Sequence, residues 1–247
     1  MVPEHALLVH AAFEWAAILA GARLYFHERG LQGLRGALQP QNYAVLAGCL
    51  LGAAIGNKAV FWVENPQLWD PGSGVVQFFL GGQSMVGGLV GGYLGVELGK
   101  AIAGVRQSTG DHFVFPILLG IMVGRVGCFL AGLQDQTFGV ETGLPWGMDF
   151  GDGIARHPTQ LYEILFAALL WWAFRRTRAR LADSPGLMFK ILLASYLSWR
   201  LLIDALKPVP YPYPMGLSGI QIVCAAALVL YLPLLFGQWR RREAVDA

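Results

Sequence analysis

Charge is what this chain has least of. Only 14% of its 247 residues are Asp, Glu, Lys or Arg, whereas 55% are hydrophobic and the mean hydropathy is +0.49. A soluble domain carries roughly 25% charged residues, so the composition implies an integral membrane protein. Cysteine is scarce too. Cys49, Cys128 and Cys224 lie in apolar runs, are odd in number and show neither disulfide nor metal-ligand spacing. Cys49 and Cys224 read as small buried residues, and no metal or organic cofactor is implied. The absence of an internal repeat removes support for an inverted-repeat transporter. No polybasic surface interleaved with aromatics is visible, so no nucleic-acid partner is expected. The first apolar run lacks a basic leading region and a small-residue cleavage site, and it reads as a span rather than a removed signal.

What the chain does have is apolar windows of about 20 residues, the length that crosses a bilayer. They predict an all-α polytopic membrane protein, a single domain over 1–247, with seven spans: Ala6 to Phe26, Tyr43 to Trp62, Gly74 to Leu98, His112 to Leu133, Pro158 to Phe174, Gly186 to Leu206 and Leu217 to Phe236. Every second connection is basic. Arg23, Arg29, Arg35, Lys100, Arg106, Arg175, Arg176, Arg178, Arg180, Arg240, Arg241 and Arg242 fall on one side, and Arg156 and Lys207 on the other. Positive charge stays in the cytoplasm. The expectation is therefore an extracytoplasmic amino terminus, a cytoplasmic carboxyl terminus and an extracytoplasmic acidic loop at 134–156. The inner halves of the spans hold few ionisable residues beyond Glu97 and Lys190, which argues against a transport path through both halves.

A few ionisable residues interrupt the apolar runs. A guanidinium inside a bilayer costs at least a few kcal/mol unless it is paired, so Arg125 is a functional-site candidate and its most economical partner is an anion. The predicted orientation puts Arg125, Arg200 and the Arg156-His157-Pro158 entry to span five at one depth. Pro158 suits the first position of a helix, with His157 as its cap, and the amides of such an end attract phosphate. The competing reading pairs each arginine with a carboxylate: Glu163 inside span five, or Asp204, four residues after Arg200 and on its face. Gln160 shares a face with Glu163 and reads either as hydrogen-bonded core or as a substrate-orienting surface. Glu14 reads as a proton acceptor, as a partner for Lys58 or an arginine, or as an edge residue, and His10 as an interfacial residue. Gly87, Gly91, Gly95 and Gly99 repeat every four residues, a stripe that lets a helix approach closely; the alternative is a lipid-facing cavity at Gln83 and Ser84 where Gly81 to Gly88 unwinds.

These residues resemble the prolipoprotein diacylglyceryl transferase family of bacterial inner membranes. The resemblance rests on GGQSMVGG (Gly81 to Gly88), GRVGCFLAG (Gly124 to Gly132), LPWGM (Leu144 to Met148), RHPTQLYE (Arg156 to Glu163) and YLSWRLLID (Tyr196 to Asp204) followed by LSGIQ, in family order over nearly the whole chain. It implies a multi-pass enzyme of the bacterial inner membrane. Such an enzyme moves a diacylglyceryl group from phosphatidylglycerol, an anionic phospholipid, to the lipobox cysteine thiol of a preprolipoprotein and releases glycerol phosphate. Arg125 and Arg200 match the family's two essential arginines, Tyr196 its motif tyrosine and Gly139 its loop glycine. On this reading Arg125 and Arg200 polarise the phosphate, with Glu14 and His157 as further catalytic candidates. Gln83, Ser84, Gly87, Gly88, Gly139, Arg156, Gln160, Glu163, Tyr196 and Asp204 line the substrate. The chain departs from the family's pattern at Val86, where a histidine is expected, and at Cys128, Ala131 and Leu133, which replace two amides and a carboxylate. Those departures fall near the acceptor thiol. They leave a second reading open: a member that binds lipid or lipoprotein without chemistry.

Overall fold

In lipid a backbone has no water to bond to, so apolar segments satisfy their own amides as helices. The computed structural model describes residues 3–37, 39–70, 72 and 74–246. The side chains of Arg35, Arg241 and Arg242, part of the basic charge set, lie outside the described residues. The helices are α1 (Pro3–Ala37), α2 (Tyr43–Glu64), α3 (Val75–Leu80), α4 (Met85–Ala103), α5 (Val114–Ala131), α6 (Thr159–Leu181), α7 (Leu187–Ile203) and α8 (Gly219–Asp246). A small antiparallel hairpin joins β1 (Met148–Asp149) to β2 (Ala155–Arg156). Among the described residues, four segments are long and apolar enough to cross a membrane: His5–Gly30, Tyr43–Glu64, Gly110–Asp135 and Gly219–Arg240. The others fall short for local reasons: α4 is rich in glycine, α6 carries Glu163 and a run of arginines, and α7 has 17 residues.

One compact unit comprises the chain up to Gly30, Thr109–Leu192 and Leu206–Pro208. Within it α5 packs on α6, with Val114, Phe115, Leu118 and Ala167 buried. Gly127 of α5 lies under α1, where a Cβ would stand 2.4 Å from the Phe13 Cβ. The start of α7 is capped from a distance: the Asp111 carboxylate accepts from the backbone N–H groups of Gly186 (2.5 Å) and Phe189 (2.9 Å). That satisfies two of the donors a helix start leaves open.

The second unit comprises Leu31–Ser108, Leu193–Ala205 and the chain from Val209 onward. Its core is a glycine seam. Gly87, Gly91 and Gly95 of α4 face Gly56, Gly52 and Gly48 of α2, and a Cβ on Gly91 would stand 2.2 Å from the Gly52 carbonyl oxygen. The sequence stripe therefore has a matching stripe as its partner. The expected third span, Gly74 to Leu98, is two helices instead. α3 ends at Leu80 and α4 begins at Met85, because the freed backbone between them is bonded from outside: Lys58 Nζ donates to the Gly82 carbonyl (2.6 Å) and the Ser84 N–H donates to Asn57 Oδ1 (2.9 Å). Ser84 then caps α4, its Oγ accepting from the Gly87 N–H at 3.4 Å.

Candidate functional site

In the first unit the packing of α5 on α6 brings Arg125 to Glu163. Arg125 is 9% exposed and Glu163 1% exposed, and Nε stands 2.9 Å from Oε2. A second arm of the guanidinium, Nη1, faces Cys128 Sγ at 3.8 Å. One turn before Glu163, Gln160 is 1% exposed, and neither its amide oxygen nor its amide nitrogen has a hydrogen-bond partner among the described residues. Leaving such a group unsatisfied costs about 1–3 kcal/mol, so Gln160 is a strained choice for a core and a fitting one for a ligand contact. Its neighbour Thr159 is tied down, donating to the Thr137 carbonyl at 2.6 Å.

The entry to α6 differs from the expectation by one residue. Pro158 occupies the cap position and makes no side-chain cap bond; the helix begins at Thr159. His157 is instead held by the loop. Its N–H donates to the Val140 carbonyl (3.1 Å) and its carbonyl accepts from the Gly139 N–H (2.8 Å). Gly139 is required there, since a Cβ would fall 2.5 Å from the His157 Cβ. The His157 ring lies 3.2 Å from the Tyr162 hydroxyl, which accepts from Trp146 Nε1 at 2.8 Å. Arg156 serves the hairpin: it forks onto Asp152 at 2.6 and 2.7 Å and stacks on Phe138. That fork raises the pKa of Arg156 and lowers that of Asp152, while the N–H groups of Gly151 and Gly153 hold the Asp149 carboxyl below the usual range.

Also in this unit, α1 presents a cluster that sequence reading passed over. His10 Nδ1 lies 2.7 Å from Asp135 Oδ1, and Nε2 lies 3.1 Å from Glu14 Oε1. The imidazole, the Cys128 thiol and the Asp135 carboxylate each offer an atom within 4.8 Å of the other two. Thr137 Oγ1 donates to the other Asp135 oxygen. Glu14 is thus partnered by His10, while Lys58, its suggested partner, serves the Gly82 carbonyl. No local spacing signals this cluster, because its members are 118 and 125 positions apart from His10 along the chain.

In the second unit Arg200 Nη2 stands 2.7 Å from Asp204 Oδ1, both side chains buried. The other Asp204 oxygen accepts from Ser218 Oγ at 2.5 Å. Ser218 and Gln221 then lock each other, the Ser218 N–H donating to Gln221 Oε1 (3.0 Å) and the Gln221 N–H to Ser218 Oγ (3.1 Å). The LSGIQ segment therefore anchors the acid that holds the arginine, a role the sequence did not disclose. Tyr196 lies one turn before Arg200 and is 1% exposed. Gln83 accepts from Asn57 Nδ2 at 3.3 Å, Gly87 belongs to the glycine seam, and the Gly88 N–H donates to the Ser84 carbonyl.

Two buried arginine–carboxylate pairs, in a chain whose described residues hold four helical segments long and apolar enough to cross a membrane, define a multi-helix membrane protein built to hold charge below its surface. By sequence, the chain belongs to the prolipoprotein diacylglyceryl transferase family, whose profile matches residues 2–236. It is similar to the "Phosphatidylglycerol--prolipoprotein diacylglyceryl transferase" of Bordetella parapertussis, at 33% identity over 66% of this chain and 61% of that relative. Proteins of the same name from Methylobacillus flagellatus (33% identical, 78% of this chain, 67% of the relative) and Geobacter sulfurreducens (29% identical, 80% and 78%) also match. The chain spans about three fifths of the length of the Bordetella relatives it matches (61%).

Proposed function

We propose that this chain transfers a diacylglyceryl group from phosphatidylglycerol to a thiol, the lipobox cysteine of a preprolipoprotein being the acceptor the family implies. It does so in the bacterial inner membrane, as a seven-span protein with its amino terminus outside, its carboxyl terminus in the cytoplasm and the 134–156 loop over the acceptor side. The observation that carries the reading is the buried Arg125–Glu163 pair with Gln160 beside it. A guanidinium already paid for by its carboxylate, next to an amide with no hydrogen-bond partner among the described residues, is ready to take up a phosphate oxygen without further rearrangement. Arg200, fixed by Asp204 and Ser218, is the second phosphate-binding arginine. As the carbon–oxygen bond to phosphate breaks, charge grows on the departing oxygen. Preset cationic donors in a dry site stabilise that charge best at this point of the reaction. Gln160 orients the head group, while Tyr196 and Gly139 shape the surroundings of Arg200 and His157.

Val86 and Cys128, standing where the family pattern has a histidine and an amide, favour a second reading: a lipid- or lipoprotein-binding member without chemistry. One assay separates the two. The purified chain is given phosphatidylglycerol labelled in the diacylglyceryl group together with a lipobox peptide, and labelled thioether is measured. The transferase reading expects product, reduced about 100-fold or more by Arg125→Gln, the usual loss on removing one transition-state donor. Binding of lipid without product favours the second reading, and neither binding nor product overturns both.

A further inference from the structure

Three side chains of the first unit, His10 of α1, Cys128 of α5 and Asp135 just beyond it, come together without any role assigned to them so far. They form the donor set that zinc prefers: an imidazole nitrogen, a thiolate sulfur and a carboxylate oxygen. Zinc bonds of about 2.0–2.3 Å place tetrahedral ligand atoms about 3.3–3.8 Å apart. The three atoms lie within 4.8 Å of one another and the His10–Asp135 pair at 2.7 Å, so small side-chain rotations reach that geometry. The outer partners are in place as well. Glu14 Oε1 holds His10 Nε2 at 3.1 Å, which turns Nδ1 toward the other two ligands; Thr137 holds the second Asp135 oxygen; and Arg125 Nη1 faces the sulfur at 3.8 Å. A carboxylate behind a ligating histidine is the usual support of a metal site.

We propose that His10, Cys128 and Asp135 bind a zinc ion whose fourth position takes the acceptor thiol. The inference rests on the transferase reading and deepens it. Three protein ligands with an open position are the pattern of a catalytic zinc rather than a structural one. A thiol that coordinates zinc loses its proton outright, here to water at the half-exposed side of His10. The bound sulfur then forms its bond to the glyceryl carbon as that carbon's bond to the phosphate oxygen breaks. Glycerol phosphate departs with the electron pair, and the ion is unchanged. Thiol activation is the task for which the family pattern expects a histidine at position 86. A metal thiolate built partly on Cys128, itself a departure from that pattern, supplies the same nucleophile by another route.

The test uses the full chain, purified in detergent and equilibrated against buffered zinc. Elemental analysis is expected to find about one zinc per chain, and cobalt(II) in its place should give a thiolate-to-cobalt charge-transfer band. Cys128→Ser should abolish the band and, like His10→Gln, weaken zinc binding at least 10-fold, the scale of lost ligand support. Adding a cysteine-containing lipobox peptide should intensify the band as a second thiolate joins. Wild-type protein with only trace zinc, or a band that survives Cys128→Ser, overturns the site; a spectrum indifferent to the peptide overturns its role in thiol binding. Because none of these readouts needs turnover, zinc bound by a protein that fails to use phosphatidylglycerol leaves the site standing and overturns the transferase reading instead.

Discussion

Gln160 is the side chain that separates a site from a core. Were it structural, its amide would be bonded; it is buried with both amide atoms unpartnered among the described residues. Gln160→Leu removes that burden, so the variant should unfold at the same or higher temperature, gaining up to about 1–3 kcal/mol. The same change should weaken phosphatidylglycerol binding about 10-fold, the worth of one hydrogen bond to a charged group. A loss of stability with binding unchanged would assign Gln160 to the core. At this scale the arginines were legible in the sequence because a guanidinium in an apolar run needs a partner wherever it sits. Both acids that hold them, Glu163 and Asp204, were named from helical spacing. The contacts of His10, Asp135 and Ser218 were not, since they are made by packing between distant elements, which no local period encodes.

Among elements, the glycine seam between α2 and α4 is where the sequence spoke most directly. A four-residue stripe predicted a close neighbour, and the neighbour carries its own stripe. Gly91→Val would drive branched carbons into the Gly52 carbonyl, and should cost about 1–3 kcal/mol, the range for overpacking, read as a lower melting temperature in detergent; Gly88→Ala, whose Cβ meets its nearest neighbours at 4.0 Å, should be nearly neutral. The break before α4 was foreseen only as an alternative, because glycine permits unwinding while the bonds from Asn57 and Lys58 that fix it come from another helix. The cap at Pro158 instead of His157 has the same origin: loop residues Gly139 and Val140 claim the His157 backbone. The hairpin makes its own prediction. Asp149 and Asp152 have lowered pKa values, so their stabilisation is complete above the ordinary aspartate pKa of about 3.9 and is lost as pH falls through the lower folded values. Protection of the Gly151 and Gly153 amides, their exchange measured against the intrinsic rate at each pH, should therefore hold at neutral pH and fall only below about pH 4, and Asp149→Ala should remove it at every pH.

For the whole molecule, composition alone placed the chain in a membrane, and among the described residues four helices have the length and apolarity to cross one. Many of their large apolar side chains face outward, among them Leu50, Leu51 and Ile55 of α2 and Val229 and Leu230 of α8, as lipid rather than water would solvate them. The proposed orientation, drawn from twelve basic residues against two, rests on the charge of the connections and not on helix packing. What gives this arrangement a purpose is the claim that its buried arginines exist to hold an anionic lipid head. The most direct test is equilibrium binding of phosphatidylglycerol and of diacylglycerol, the same lipid without its phosphate, to the purified chain. Phosphatidylglycerol should bind at least 10-fold more tightly, and Arg125→Gln and Arg200→Gln should each erase most of that preference. Equal binding of the two lipids by the wild-type chain, or a preference that survives both substitutions, would contradict it.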